Sequence, residues 1–375
     1  MKISIGSRVI KGPWGGGNLF VINLTKYLAS KGHKVVFDLT HKDIDIILLT
    51  DPRPKSDSTS KFNHKDIVNY KKFVNPNVKV VQRINECDER KNTSGINNFY
   101  LEASESANIV VFVSSWLESI YLKMGLDPNK SKVIMSGSNE QIFTNYSKNK
   151  NKNKNKNKNK YKLVTHHWSA HQNKGFDIYY KIDKMLKDNY WKDIIEFTYI
   201  GNVPKNHEFQ NTNIIQPLDG KNLAAELNLH NVYVTGSINE PSGNHHIEAA
   251  LCGLPMVYRE SGGLPEYCFG YGESFDENFE SSLKKLIENY EFYAKNLQKY
   301  PFKSDKMCQE FMNLFNDLLS QENLGKDLEI PLIPSIIFRS RQKVLDIYYF
   351  SIKERFKNIL GYTKTLVTLR RGTDG

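Results

Sequence analysis

The run from Glu240 to Glu266, EPSGNHHIEAALCGLPMVYRESGGLPE, leaves a folding chain few choices. Glu240-Pro241-Ser242-Gly243 is turn chemistry that delivers a helix start. His246 to Cys252 then reads as helix with small residues on one side, until Gly253-Leu254-Pro255 stops it. Met256-Val257-Tyr258 is a short buried strand that runs into a second glycine turn, Ser261-Gly262-Gly263, closed by Leu264-Pro265-Glu266. A helix start and a glycine turn both expose backbone N–H groups. Such clusters bind anions, because the helix dipole and the unpaired donors converge there. Two carboxylates flank them, Glu240 before the helix and Glu248 inside it. Acids beside an anion-binding end are unfavourable unless they accept hydrogen bonds from hydroxyls. Pyrophosphate on the amides and sugar hydroxyls on the glutamates meet both demands, and together they describe a sugar-nucleotide.

The rest of the chain alternates strands and helices in the same manner. Residues 3–5 and Val35-Val36-Phe37 read as strands. Between them lie a loop, Lys11 to Asn18, and an amphipathic helix, Leu19 to Ser30, which make a β-loop-α-β unit. A dinucleotide fingerprint G-x-G-x-x-G started at Gly15 finds Gly17 but meets Phe20 at its third glycine, although Asp38 would suit a ribose contact. Asp43-Ile44-Asp45 looks like a D-x-D metal motif, yet strand alternation alone explains its two acids. The strand Val78 to Val81 ends in a polar cluster, Arg83 to Arg90. That is where open α/β sheets place ligands, and it reads equally as a solvated loop of paired charges. Further strands are expected at Ala107 to Val113, Tyr161 to Thr165, Phe197 to Ile200 and Val232 to Thr235. Amphipathic helices are expected at Lys284 to Leu297 and Ser304 to Leu319.

A length of 375 residues suits two domains. The net charge of +11 is misleading, because seven lysines sit in one alternating Lys-Asn tract, Lys148 to Lys160, and the remainder carries about +4. With no apolar residue and repeated like charge, that tract reads as a solvated linker. It also lacks the aromatic platforms of a single-strand binder, so no nucleic-acid partner is expected. Cys87, Cys252, Cys268 and Cys308 are too scattered for a zinc site or a disulfide framework, which fits a reducing cytoplasm. The N-terminus lacks the apolar core of a signal peptide, and no run reaches the ~18 apolar residues of a membrane span. Arg339 to Tyr362 reads as a basic amphipathic helix. It would pack back on the first domain, or provide peripheral membrane contact.

Glu240 and Glu248 form an E-x7-E pair followed by C-G-x-P and G-G-x-P-E, and Lys174-Gly175-Phe176-Asp177 fits a K-G-x-D turn. This ordered set resembles the retaining glycosyltransferases of family 4. The resemblance covers roughly residues 1–325 and implies the GT-B fold, an α/β architecture of two Rossmann-like doubly wound domains facing across a cleft, with C-terminal helices. The implied organisation is an acceptor-side domain at 1–147, the linker at 148–160, a sugar-nucleotide domain at 161–325 and a basic helical extension at 326–375. It implies metal-independent transfer of a hexose from a UDP- or GDP-linked donor to a glycan, lipid or other acceptor, with no cofactor. Glu240 would hold the transferred sugar and Glu248 the ribose. Lys174 and the amides of Gly243, Asn244, Gly262 and Gly263 would take the diphosphate, with Gly16 and Gly17 nearby. Arg83, Asn85, Glu86 and Asp88 would face the acceptor. Two departures stand out: Ser169 occupies the position where the family has an arginine, and no histidine lies between His64 and His166. A GT-B sugar-nucleotide epimerase and a non-catalytic sugar-nucleotide binder are the alternative readings.

Overall fold

The computed structural model describes residues 1–10, 15–53, 59–146, 160–205, 208–321 and 332–349. The Lys-Asn tract up to residue 159, the loop residues 11–14 and the C-terminal segment from 350 lie outside the described residues.

Two six-stranded sheets carry the fold, and every pairing in both is parallel. The first contains β1 (Lys2–Ile5), β2 (Lys34–Val36), β3 (Ile46–Leu49), β4 (Lys79–Ile84), β5 (Ile109–Phe112) and β6 (Ser131–Val133), in the order β2-β1-β3-β4-β5-β6. The second contains β7 (Tyr161–His167), β8 (Ile195–Gly201), β9 (Asn213–Ile215), β10 (Val232–Thr235), β11 (Met256–Arg259) and β12 (Gly272–Phe275), in the order β12-β11-β10-β7-β8-β9. Parallel strands need crossovers that cover both faces, so their inner members are largely buried. Ile46-Ile47-Leu48-Leu49 of β3 and Val232-Tyr233-Val234-Thr235 of β10 are buried at every position.

Strand order fixes where a ligand can sit. The first sheet reverses direction between β1 and β3, the second between β7 and β10. At such switch points the crossovers leave on opposite faces, and a crevice opens beyond the carboxyl ends of the strands. Those ends lead into the Gly15–Ser30 helix in the first domain, and into residues 168–174 and 236–243 in the second.

Sequence and structure differ at several elements. The first helix begins at Gly15 rather than Leu19, so Gly16 and Gly17 form its first turn instead of a preceding loop. The helix after Gly243 likewise starts earlier, at Asn244. The expected helix Lys284 to Leu297 is divided into Phe279–Glu288 and Tyr290–Asn296. The Ser304–Ser320 helix lies within the stretch assigned to the second domain. Its Met307, Phe311, Leu314, Phe315 and Leu318 nevertheless belong to the first core, with Phe311 5.1 Å from Phe20. An amphipathic helix docks wherever its apolar stripe is covered, and the open face of the Gly15–Ser30 helix covers this one. The C-terminal helix starts at Leu332 rather than Arg339; it is described as far as Ile347, residues from 350 lying outside the described ones, and it returns to the first domain. Phe338 enters the core beside Tyr70, Gln342 donates to Asp66 at 2.9 Å, and Lys61 pairs with Asp346 at 3.5 Å. Among the described residues no helix is long and apolar enough to cross a membrane.

Candidate active site

The Asn244–Leu251 helix starts from Gly243, whose φ of 72° is a conformation that side chains disfavour. A Cβ there would stand 2.6 Å from the His245 ring and 3.1 Å from the Glu240 side chain, so only glycine fits. Across the cleft, a Cβ on Gly16 would come within 2.8 Å of Asn244 Oδ1. Gly17 lies beside Asn85, with 3.8 Å from its ideal Cβ to Asn85 Nδ2. Two helix starts, one from each domain, thus face each other with almost nothing between them. Each presents backbone donors and the positive end of its dipole to the same space.

That space is a cavity of about 720 Å³ lined from both domains, including Gly16, Gly17, Gly243, Asn244, Glu240 and Glu248. Glu240 is only 4% exposed and binds two cations. Lys174 Nζ donates to its Oε2, and Arg90 Nε of the first domain lies 3.3 Å from Oε1. Burial works against the charged carboxylate, but Arg90 and then Lys174 outweigh it and hold Glu240 down to about 2. It is therefore an anion at any physiological pH. Burial lowers the Lys174 ammonium, opposed by Glu240. Glu248 is equally buried with different partners: His166 Nε2 at 3.0 Å, and the Ser138 hydroxyl donating at 3.3 Å. One carboxylate is clamped by charge, the other by neighbours able to exchange their hydrogen bonds.

The turns that hold these groups are tight. Gly175, at φ 95°, follows Lys174, and a Cβ on it would strike Gly236 backbone carbon at 2.3 Å. Gly262 and Gly263 were expected to face the diphosphate, and the structure gives them other work. Neither lines the cavity. A Cβ on Gly262 would meet Glu240 backbone nitrogen and oxygen at 2.6 Å each, and Gly263 N–H donates to Glu240 C=O at 2.9 Å. The second glycine turn is a backbone brace that sets the position of Glu240. Asp88 is likewise not an acceptor-side group. It accepts from Ile96 N–H (3.1 Å), Asn97 N–H (3.0 Å) and the Thr93 hydroxyl (2.8 Å), and it does not line the cavity. Arg83, Asn85 and Glu86 do line it, as does exposed Ser169. Asp43 and Asp45 both turn to Lys2.

Three groups enter the site in roles that the sequence did not assign to them. Arg90 reaches Glu240 and, at 3.4 Å, Glu86. Glu266 caps a helix of the other domain, accepting from Ser115 N–H and Trp116 N–H at 2.8 Å each. His245 closes the floor, with Nε2 3.1 Å from Thr235 Oγ1. His245, His167 and His246 form a buried imidazole group in which burial depresses each ring's affinity for a proton. Among the described residues no three His, Cys, Asp or Glu side chains are grouped to hold a metal ion.

Two parallel doubly wound sheets with their switch points facing across a cleft define the GT-B fold, and the chain has it. No protein-family model matches the sequence, and no curated protein matches it either. Solved structures match by shape. Sucrose-phosphate synthase from Thermosynechococcus elongatus superposes with a TM-score of 0.61 at 13% identity, over 86% of this chain and 100% of that one. Anabaena HepE in complex with UDP-glucose gives 0.60 at 14% identity, over 84% and 100%. WaaG, a glycosyltransferase involved in lipopolysaccharide biosynthesis, gives 0.58 at 13% identity, over 84% and 99%.

Proposed function

We propose that the protein is a retaining glycosyltransferase that moves a hexose from a nucleotide-diphosphate sugar, UDP- or GDP-linked, without a metal ion. The observation that carries this reading is the pair of opposed helix starts over Glu240, Glu248 and Lys174, all lining one cavity. The diphosphate lies in the cavity against the helix starts, where the amides of Gly243 and Asn244 and the Lys174 ammonium neutralise it. Sugar hydroxyls donate to Glu240, which is permanently ionised, and ribose hydroxyls to Glu248.

In the transfer step the bond between the anomeric carbon and the phosphate oxygen breaks, and its electron pair leaves with the diphosphate. The acceptor hydroxyl oxygen bonds to the same face of that carbon, and its proton passes to the departing phosphate oxygen. Preorganised donors aimed at the charge that develops usually contribute most to such catalysis. Lys174 is paired with Glu240, so phosphate and carboxylate compete for it as the leaving group charges. The structures of HepE with UDP and with UDP-glucose show a protein of this shape holding such a donor.

The acceptor side includes Asn85 and Glu86, and a membrane-borne acceptor suits the outer face of the Leu332–Ile347 helix. Leu332, Ile333, Ile336, Ile337, Val344 and Ile347 are exposed there, near Arg341 and Lys343. A basic helix with an exposed apolar face suits a membrane interface, and this supports our reading of an enzyme that works at the cytoplasmic membrane surface.

The test is a thermal-shift panel of UDP-, GDP-, ADP- and CMP-linked sugars, because a ligand that binds only the folded state raises its melting temperature. One diphosphate-linked donor should stabilise the protein. Its turnover with an accepting glycan or lipid should give a product with the donor's anomeric configuration by NMR. Stabilisation by none of the panel, or an inverted product, overturns the reading.

A further inference from the structure

The buried and half-buried charged side chains that line the cavity come, with one exception, in balanced sets. Arg53 is bound in a fork to Asp51, with Nη2 2.8 Å from Oδ2. Arg90 and Lys174 share Glu240, and Arg90 also approaches Glu86. Arg83 is different. It projects from β4, is 5% exposed, and lines the same cavity. Its guanidinium lies on the face of Phe20, 4.1 Å from the ring centroid. Among the described residues its hydrogen bonding amounts to one long contact, from Nη2 to Ser136 Oγ at 3.5 Å, and no carboxylate pairs with it. A guanidinium has five N–H donors in a rigid fork that matches phosphate oxygens. Burying such a cation without an anion is unfavourable, and stacking on one phenyl ring offsets only part of that. Burial does lower Arg83, to about 10, so it is still a cation at neutral pH.

The position says which anion it awaits. Phe20 belongs to the helix that starts at Gly15-Gly16-Gly17, on the first-domain side of the cavity. Ser136 Oγ is 3.1 Å from Ser242 Oγ, one residue before the Gly243 turn on the second-domain side. Arg83 therefore stands at the junction of the two helix starts. We infer that Arg83 is the resident counter-charge for a phosphate oxygen of the substrate, reaching the donor diphosphate from the first domain while Lys174 reaches it from the second. This rests on the nucleotide-sugar reading, and it makes Arg83 a donor-binding group instead of the acceptor-side group expected from sequence. It also supplies a second cation where Ser169 provides only a hydroxyl. Because the two cations sit on different domains, the diphosphate binds both domains at once.

Arg83→Met keeps a long apolar chain on Phe20 and removes the charge, and Arg83→Lys keeps the charge without the fork. Each is compared with wild type by calorimetric titration with the preferred nucleoside diphosphate, the matching nucleoside, and inorganic pyrophosphate. The ligand-free melting temperature is measured alongside. The expected result is a roughly 10- to 100-fold loss of diphosphate affinity in Arg83→Met with nucleoside affinity unchanged, the scale of one charge-assisted hydrogen-bond pair. Arg83→Lys should be intermediate. The ligand-free Arg83→Met protein should melt higher than wild type, since an unpaired buried charge has gone. If pyrophosphate affinity falls while nucleoside diphosphate affinity holds, Arg83 still receives an anion, but one carried by the acceptor. Wild-type affinity of Arg83→Met for all three ligands overturns the inference, as does a lowered melting temperature with all three affinities lost together. If wild type binds no nucleoside diphosphate at all, the functional reading has failed, and pyrophosphate alone then decides the role of Arg83.

Discussion

Glu240 and Glu248 are equally buried, and their neighbours separate their roles. Glu240 is held between Lys174 and Arg90, whereas Glu248 meets His166 and Ser138. On the proposed reading, Glu240→Ala removes the carboxylate that accepts the sugar's hydroxyl hydrogen bonds and frees two cations for phosphate. Transfer should fall by roughly 100-fold or more, on the scale of losing one preorganised catalytic group, while nucleoside diphosphate affinity holds or rises. Glu248→Ala should leave more residual transfer and weaken nucleoside diphosphate binding by roughly 10-fold. Steady-state kinetics with calorimetry separates the two, and the opposite pattern would exchange their roles. His246 allows a different test. Its ring is fully buried with neither nitrogen partnered among the described residues, and burial holds it down to about 3. His167 and His245 are lowered for the same reason. A lowered histidine binds fewer protons folded than unfolded, so stability is complete above the unfolded value near 6.5 and declines as pH falls below it. The melting temperature should therefore drop steadily from pH 7 to pH 4. His246→Leu should flatten that slope and raise stability at pH 5 by about 1–3 kcal/mol, the penalty of an unsatisfied buried polar group. An unchanged slope would remove His246 from the account.

At the scale of elements, the K-G turn shows why part of the site is visible in sequence. Gly175 follows Lys174 directly, and its need for φ 95° is local, so the lysine's delivery to a helix start can be read from adjacent residues. The obstacle that makes the glycine obligatory is Gly236, far along the chain and brought close only by β7 and β10 pairing. Gly175→Ala should destabilise the protein by about 2 kcal/mol or more, as strain plus a backbone clash, and should lower transfer by displacing Lys174. Chemical denaturation measures the first effect. The E-x7-E run was legible for the same local reason, and the fold class followed from buried strands alternating with helices. Gly262 and Gly263 were misread because an anion-binding nest and a backbone brace share one sequence pattern, and only the Glu240 carbonyl, a tertiary partner, tells them apart. Asp88 was misread similarly: an acid after a strand can face a ligand or organise its own loop. The C-terminal helix is a third case: the sequence suggests a basic amphipathic helix at Arg339 to Tyr362, whereas the described helix runs Leu332–Ile347 and its buried contact, Phe338, precedes the expected start. Phe338→Ala should destabilise by about 3–5 kcal/mol. Ile337→Asp, on the exposed face, should leave the fold intact and reduce co-sedimentation with anionic vesicles. Equal sedimentation of Ile337→Asp and wild type would refute the membrane contact.

Across the whole molecule, the two domains are tied by contacts that sequence order could not show, because each joins residues from opposite halves. Asn173 Nδ2 donates to Arg90 C=O at 3.0 Å, and Asn239 Nδ2 to Glu89 C=O at 3.2 Å. The Ser304–Ser320 helix fills the first core from the far end of the chain. Glu266 is the firmest of these ties on physical grounds. Its carboxylate receives the two free N–H groups at the start of the Ser115–Lys123 helix, where the dipole also favours a negative charge. The same glutamate closes the glycine brace that positions Glu240, so one residue couples the interdomain contact to the geometry of the site. Glu266→Gln keeps the shape and one acceptor oxygen while removing the charge, and Glu266→Ala removes both. Stability should fall by about 1–2 kcal/mol in Glu266→Ala and by less in Glu266→Gln. Small-angle scattering should show a larger radius of gyration for ligand-free Glu266→Ala, and saturating donor should restore the wild-type value by supplying charge across the same cleft. A radius unchanged from wild type in the ligand-free variant would mean that the domains are held together elsewhere, with the Ser304–Ser320 helix as the next tie to test. Phe311→Ala would then have to produce the expansion that Glu266→Ala did not.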